Sequence, residues 1–458
     1  MKSWFIKREI IEKYPSVVLN DKNEKTPGGL VLAYDQNRAY VDGSDSHTLI
    51  VGSTGSKKSR LIVMPTVISL LKAGENVIVS DPKKEIYDTT CDLAKKEGYK
   101  IITVDFRNPC KSSRWNPLEV LDEAIKSGNE DKIALEIRKT AESFIVIGVG
   151  KDPYWSKASI EFLENILYLN VIAGRADLKS FMKNIEVVEN VLRQSEEKDP
   201  YSLGDKIYDI ISKTTEKNRA KQIPYNKLRE YGNRLKEFVI KWASYPNGTR
   251  GSVLATMSSN LQIFKANKGI IDNSVKPDFT YGDIIGKKYK TIVYLIIPEE
   301  NSAYEMLVKM FVEQSYSYLI SVIQDRYNAK APRRINYILD EFANIPPING
   351  FEKNISISRS RNIRFFLVVQ DISQIEHRYG TDSAYTIVGN CNNIAYLYCN
   401  DVKTNSFIHD RVSDKISLSS MTALNPENGE VMFLLGRYGE YIGFLKDISS
   451  VMEMVNNG

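Results

Sequence analysis

Two segments of this chain hold residues whose types and spacing suit phosphate chemistry. One is LIVGSTGSKKS at 49–59 and the other INYILDEFANI at 335–345. Each is an apolar, strand-length run that ends in polar groups. In the first, Gly52, Ser53, Thr54, Gly55, Ser56, Lys57, Lys58 and Ser59 follow Leu49-Ile50-Val51. They precede SRLIVMPTVISLLKAGE, whose apolar residues recur at helical spacing. This strand–loop–helix context is what a P-loop requires. Glycines let the backbone wrap closely around phosphates, and successive N–H groups then point at the anion. Lys58 is placed to contact the β and γ phosphates of ATP, and Ser59 to ligate Mg²⁺ through its hydroxyl. The plain alternative is a polar strand-to-helix turn.

In the second segment, four apolar positions lead into Asp340 and Glu341. Adjacent carboxylates at the end of a buried strand are costly without a partner or a metal. Asp340 is expected to hold Mg²⁺ with Ser59, and Glu341 to orient or activate the attacking water. Gln370 closes the run IRFFLVVQ, expected beside the Asp340 strand, where it can sense the γ-phosphate or the water. Arg359 and Arg361 precede that run, at its opposite end. They are too far from their own site and placed for a neighbour's, which suits an arginine finger supplied in trans within a ring. Otherwise they are solvated surface arginines. Asp81 and Lys83, at the end of NVIVSD, could face nucleotide or DNA.

Lys57 departs from the pattern, because the motif has glycine immediately before its lysine. A side chain there costs room or φ freedom where the backbone approaches a phosphate. Two readings stand. Lys57 points outward and the loop still works, or nucleotide binding and hydrolysis are impaired.

The elements that must position these groups form an α/β pattern. Apolar runs GGLVLAYD, SHTLIVGS, NVIVSD and YKIITVD alternate with helical segments, which implies a mainly parallel, doubly wound sheet. From Trp115-Asn116-Pro117-Leu118 to about 252 almost nothing reads as strand. IEFLENILYLNVI, SFMKNIEVVENVLRQ and KLREYGNRLKEFVIKWA are helical in pattern. Strand runs return with KTIVYLIIP and continue through INYILD, IRFFLVVQ, NIAYLYC and EYIGFLKD. The expected architecture is a discontinuous P-loop nucleotide-binding domain, 1–117 and 253–458, interrupted by an all-α domain, 118–252.

Composition bounds the class. The chain has 458 residues, 42% of them hydrophobic and 26% charged, as in an ordinary globular protein with room for two or three domains. A net charge of +5 permits a nucleic-acid partner without arguing for one. The four cysteines and three histidines show neither a disulfide framework nor a zinc pattern, which fits a reducing cytoplasm. No apolar run reaches the roughly 18 residues of a membrane span. Between Lys213 and Lys241 stand nine basic and three acidic residues. That excess makes a DNA or partner surface, or else a solvated helix face.

With GSTGSKKS and LDEFANI come SDPKKEIYD (80–88), SxxWNPL (112–118), DPYWSKA (152–158), TRGSVLATM (249–257), VVQDISQIEHRYG (368–380), GNCNNIAYLYCND (389–401) and LLGRYG (434–439). In this ordered set the chain resembles type IV secretion coupling proteins of the TraG/TrwB family, which feed DNA into conjugation channels. The resemblance implies a RecA-like ATPase domain, a membrane-distal all-helical domain and a hexameric ring around a DNA-sized channel. It gives Lys58, Ser59, Asp340, Glu341 and Gln370 the nucleotide chemistry and Arg359 the arginine-finger position. The implied partners are single- or double-stranded DNA, a relaxase or relaxosome, and type IV secretion channel components. A hexamer is expected when assembled and a monomer when isolated. The expected location is the cytoplasmic face of the cell membrane. Family members usually have glycine at the positions of Lys57 and Lys84, and N-terminal transmembrane helices that are not seen here. The competing function is a weakly hydrolysing substrate receptor with a degenerate P-loop. A third is a DNA-pumping ATPase outside secretion.

Overall fold

The apolar runs around the two phosphate motifs become inner strands of one sheet. The computed structural model describes residues 9–21, 26–148, 153–193, 225–286, 288–298, 300–413, 416–436 and 439–457. The strands are β1 (Ser16–Val18), β2 (Leu30–Asp35), β3 (Arg38–Asp42), β4 (Thr48–Val51), β5 (Asn76–Asp81) and β6 (Tyr99–Asp105), then β7 (Lys290–Ile296), β8 (Ile335–Leu339), β9 (Ile363–Val369), β10 (Asn393–Tyr396), β11 (Glu430–Leu435) and β12 (Gly439–Phe444). The central sheet has nine strands in the order β12-β11-β10-β4-β9-β8-β5-β7-β6. From β10 to β6 every pairing is parallel. β11 and β12 add an antiparallel edge. Strands β4, β5, β8 and β9 are buried at every position, as expected of parallel strands covered on both faces. This is why they read as unbroken apolar runs.

Because these strands are parallel, Gly52 after β4, Asp340 after β8 and Gln370 after β9 all lie at the carboxyl edge of the sheet. That edge is where open α/β sheets place their ligands. β9 separates β4 from β8, and β8 pairs with β9 as expected for Gln370.

The opposite edge is held by a buried guanidinium. Arg364, in β9, donates to Asn336 Oδ1 at 2.8 Å, Glu75 Oε2 at 2.8 Å, the Ser44 carbonyl at 2.8 Å and the Gly28 carbonyl at 3.1 Å. Ser44 and Gly28 flank a second, three-stranded antiparallel sheet, β1-β3-β2. Arg364 thereby ties that sheet's ends to the base of the central one.

The sequence reading placed two strands in 28–51. There are three, and β2 and β3 belong to the small sheet. Gln36, in the left-handed region at φ 47°, turns this hairpin without the glycine that would mark it in sequence. β11 was also not anticipated.

The chain divides into two compact units. One is Met1–Asn108, Tyr281–Val308 and Leu319–Gly458, and the other Pro109–Thr280 and Lys309–Tyr318. The second contains no strand among its described residues. Its packing centres on rings such as Phe144, which lies 4.9 Å from Phe181 and 5.4 Å from Phe264 between centroids, and Phe162, 5.0 Å from Trp242. These limits correct the expected 118–252. The helices Asn247–Ala266 and Lys268–Asn273 continue the helical packing, and the next strand begins only at Lys290. Residues 309–318 of the long helix Glu305–Arg326 also group with the helical unit.

Candidate nucleotide site

Backbone hydrogen bonds fix the loop after β4. Gly52 N–H donates to the Val369 carbonyl at 3.2 Å and Ser53 N–H to the Tyr398 carbonyl at 2.6 Å. The loop then turns back on itself, with Ser56 N–H donating to the Ser53 carbonyl at 3.1 Å. A Cβ at Gly52 would fall 2.5 Å from Ser56 Oγ and 3.3 Å from Leu397 Cβ, so the turn packs closely over this glycine. Gly55 takes φ +82°. The helix opens on a wide π turn, Ser59–Val63, in which Met64 N–H reaches the Ser59 carbonyl. Pro65 follows, near the start of the α-helix Met64–Lys72, where its missing N–H is tolerated.

The Lys58 ammonium is buried and curls over the loop, donating to the carbonyls of Gly52 and Ser53. Burial lowers its pKa, while the facing Glu341 and Asp340 carboxylates raise it. Ser59 Oγ donates to Asp340 Oδ2 at 3.4 Å. Burial, with Glu341 alongside, pushes the Asp340 carboxyl up to about 7. Ser80 Oγ fixes this strand end by donating to the Asp340 carbonyl at 3.0 Å. Glu341 sits in the left-handed region at φ 52°. Its Oε2 accepts from Gln370 Nε2 at 3.2 Å. A cavity of about 160 Å³ opens here, lined by Thr54, Lys83, Glu305, Asp340, Glu341 and Gln370 among others.

The expected site residues Gly52 to Ser59, Asp340, Glu341 and Gln370 therefore lie together. Arg359 does not join them. It is exposed in the single turn Arg359–Arg361 before β9, about 20 Å of strand from Gln370. Nearby, His47 is fully buried, accepting from Phe365 N–H through Nδ1 at 3.0 Å. Its Nε2 therefore carries the proton and donates to the Ile355 carbonyl at 2.8 Å, in the helix Phe351–Ser358 that leads to Arg359.

Asp81 departs from its expected role. It is buried and accepts from Tyr87 N–H at 2.7 Å, so its carboxylate is bonded to the first turn of the helix Glu85–Lys96. Sequence reasoning missed Glu305, whose half-buried carboxyl is raised to about 7 by burial. It opens a helix with no motif around it.

Lys57 adopts φ +59°, in the left-handed region that favours glycine. Its ammonium pairs with Glu427. Lys84 shows the same arrangement, at φ +64° with its ammonium on Asp88. Of the basic stretch 213–241, residues 213–224 lie outside the described residues. Within the rest, Lys241 pairs with Glu161 at 2.5 Å and Arg234 stacks over Tyr168 at 4.5 Å.

The donor set fits a magnesium-bound nucleotide. A hydroxyl and a carboxylate converge, the loop closes tightly around Gly52, and the buried Ser56 Oγ has no hydrogen-bond partner among the described residues.

The fold is similar to that of plasmid coupling protein TrwB. Against TrwB in complex with the ATP analogue ADPNP, the TM-score is 0.63 at 14% identity, covering 94% of this chain and 93% of that one. Against TrwB in complex with ADP and Mg²⁺, it is 0.58 at 13% identity, covering 88% and 85%. In sequence the chain is 20% identical over 380 residues to the conjugal transfer protein TraG of Agrobacterium fabrum (strain C58 / ATCC 33970), covering 81% of this chain and 52% of that protein. It thus spans about half the length of that relative. Among the described residues no helix is long and apolar enough to cross a membrane. Residues 4–416 match the family profile described as Type IV secretory system Conjugative DNA transfer, and the chain belongs to that family.

Proposed function

We propose that this chain is a coupling ATPase that recruits a relaxase-bound DNA strand and drives it, as a ring of copies at the cytoplasmic face of the membrane, toward a type IV secretion channel. The observation that carries the reading is the convergence of Lys58, Ser59, Asp340, Glu341 and Gln370 at one sheet edge, with Arg359 at the other. Family membership and the nucleotide-bound TrwB structures support it.

The chain's own groups divide the work. Loop N–H groups and the Lys58 ammonium, released from the Gly52 and Ser53 carbonyls, bind the β and γ phosphates. The Ser59 hydroxyl and Asp340 would hold Mg²⁺, which when bound neutralises phosphate charge. Gln370 occupies Glu341 Oε2, which leaves Oε1 to accept a proton from the attacking water. Arg359 cannot reach its own site and serves a neighbouring copy's, where it stabilises charge on the transferring phosphoryl group.

The competing receptor reading rested on Lys57. Its left-handed backbone and outward ion pair favour a working loop.

The test is steady-state ATP hydrolysis with Mg²⁺, with and without single-stranded DNA, over a range of protein concentrations. Specific activity that rises with concentration and with DNA is expected. Nucleotide binding without turnover under any condition would leave the receptor reading standing.

A further inference from the structure

Resting on the proposed nucleotide site, we infer that Glu427 is a positioning residue for the P-loop, holding Lys57 outward so that a lysine can occupy the loop's glycine position. No motif contains Glu427, and it lies 370 positions away from Lys57.

At φ +59° an L side chain is strained unless its surroundings fix it. The loop at Lys57 is bound on its far side, because Leu61 N–H donates to the Lys57 carbonyl at 2.8 Å. The side chain has two places to go. Inward, it would bring a second ammonium beside Lys58, which is already buried against loop carbonyls. Outward, it meets Glu427, and that pair forms.

Glu427 is itself held in place. It sits in the single turn Pro426–Asn428, and Asn425 Oδ1 accepts from its N–H at 3.0 Å. Asn425 N–H in turn donates to Glu430 Oε2 at 2.9 Å. Gly429, at φ +80°, closes the turn against Leu445, whose N–H donates to the Gly429 carbonyl at 2.8 Å. A Cβ there would lie 2.1 Å from the Leu445 carbonyl oxygen, so this close approach requires glycine. The carboxylate is thus presented from a fixed base.

A second pair works in the same region. Arg60 grips Asp447 through Nε at 2.9 Å and Nη2 at 2.5 Å, and Asp447 caps the helix Ile448–Asn456. The β11–β12 edge therefore holds the loop's exit by two ion pairs. Lys84, after β5, repeats the device three strands along the same sheet edge, left-handed with its ammonium on Asp88. In both places the left-handed backbone is kept and the added charge is held on a carboxylate outside the cavity.

The experiment is a double-mutant cycle with Lys57→Gly, Glu427→Gln and both together, reading MgADP affinity by calorimetry and, separately, the melting midpoint without nucleotide. Glu427→Gln is expected to weaken MgADP binding about two- to five-fold when Lys57 is present, consistent with a partly exposed pair, and to have no effect in the Lys57→Gly background. The difference should shrink in high salt. Arg60→Ala should lower the melting midpoint equally in both backgrounds. An equal effect of Glu427→Gln in both backgrounds, no effect in either, or tighter MgADP binding overturns the inference. If the unmodified chain binds no MgADP, the nucleotide reading itself fails. The melting cycle then still decides whether Glu427 holds Lys57, and absence of coupling there rejects it.

Discussion

The Ser59 hydroxyl donates to Asp340 Oδ2 at 3.4 Å, joining residues 281 positions apart at the carboxyl edge of one sheet. The pair exists because β4 and β8 both run parallel to the β9 strand between them. It puts a neutral donor against a carboxyl that burial pushes up to about 7.

A first prediction follows for pH. Magnesium takes the ionised carboxylate, so protons compete with it below about pH 7. Mg²⁺-dependent nucleotide affinity is expected to fall as pH drops from 8 to 6, approaching about tenfold per unit at the acid end. Calorimetry with MgADP measures it. Asp340→Asn should weaken binding at pH 8 and flatten the profile. A profile equally steep in that variant would assign the proton elsewhere.

Arg359 gives a second. It stands at the amino end of β9 while Gln370 stands at the carboxyl end. Arg359→Ala should retain nucleotide binding and lose turnover by about 10³-fold or more. Mixing Arg359→Ala protein with Lys58→Ala protein should restore part of the activity, since one supplies an intact site and the other an intact arginine. Failure of every mixing ratio, with each variant assembling normally, would place the arginine's action within its own subunit or outside catalysis.

His47 gives a third, on stability. Burial, with Arg359 and Arg364 nearby, lowers its pKa to about 4, against the pull of the Ile355 carbonyl and Asp45. The unfolded chain, near 6.5, then binds the proton more readily than the folded one. Stability from this group is fully present above pH 6.5 and is lost as pH falls toward 4, about 3 kcal/mol in all. His47→Gln keeps an acceptor for Phe365 N–H and a donor for Ile355. Its melting midpoint should change less than the parent's between pH 6.5 and 4.5. Parallel curves would show that His47 is not the titrating group.

Much of the site was legible because its chemistry is local. Lys58, Ser59, Asp340 and Glu341 announce themselves by standing at the ends of apolar runs, and parallel pairing then brings them together. What was not legible depends on partners remote in sequence. Asp81 reads as a site carboxylate, yet its acceptor oxygen is satisfied by the next helix's backbone. Glu305 carries no motif and lines the cavity only because β7 returns beside β5. Lys57 reads as a defect until its φ and Glu427 are known. Arg364 looks out of place in an apolar run, and its need for four acceptors becomes clear only once Gly28, Ser44, Glu75 and Asn336 surround it. The helical unit's limits were misjudged for a related reason. Helical periodicity marks where helices are, not which core they join, and residues 309–318 join the helical one.

The central claim is that one working P-loop site binds and hydrolyses ATP, with Lys58 holding phosphate and Glu341 activating water. The most direct measurement compares the unmodified chain with Lys58→Ala and Glu341→Gln for MgATP binding and for turnover on the same preparations. The account predicts that Lys58→Ala loses binding, while Glu341→Gln binds at near-parental affinity and loses turnover by about 10² or more. Turnover that persists in both variants would contradict it.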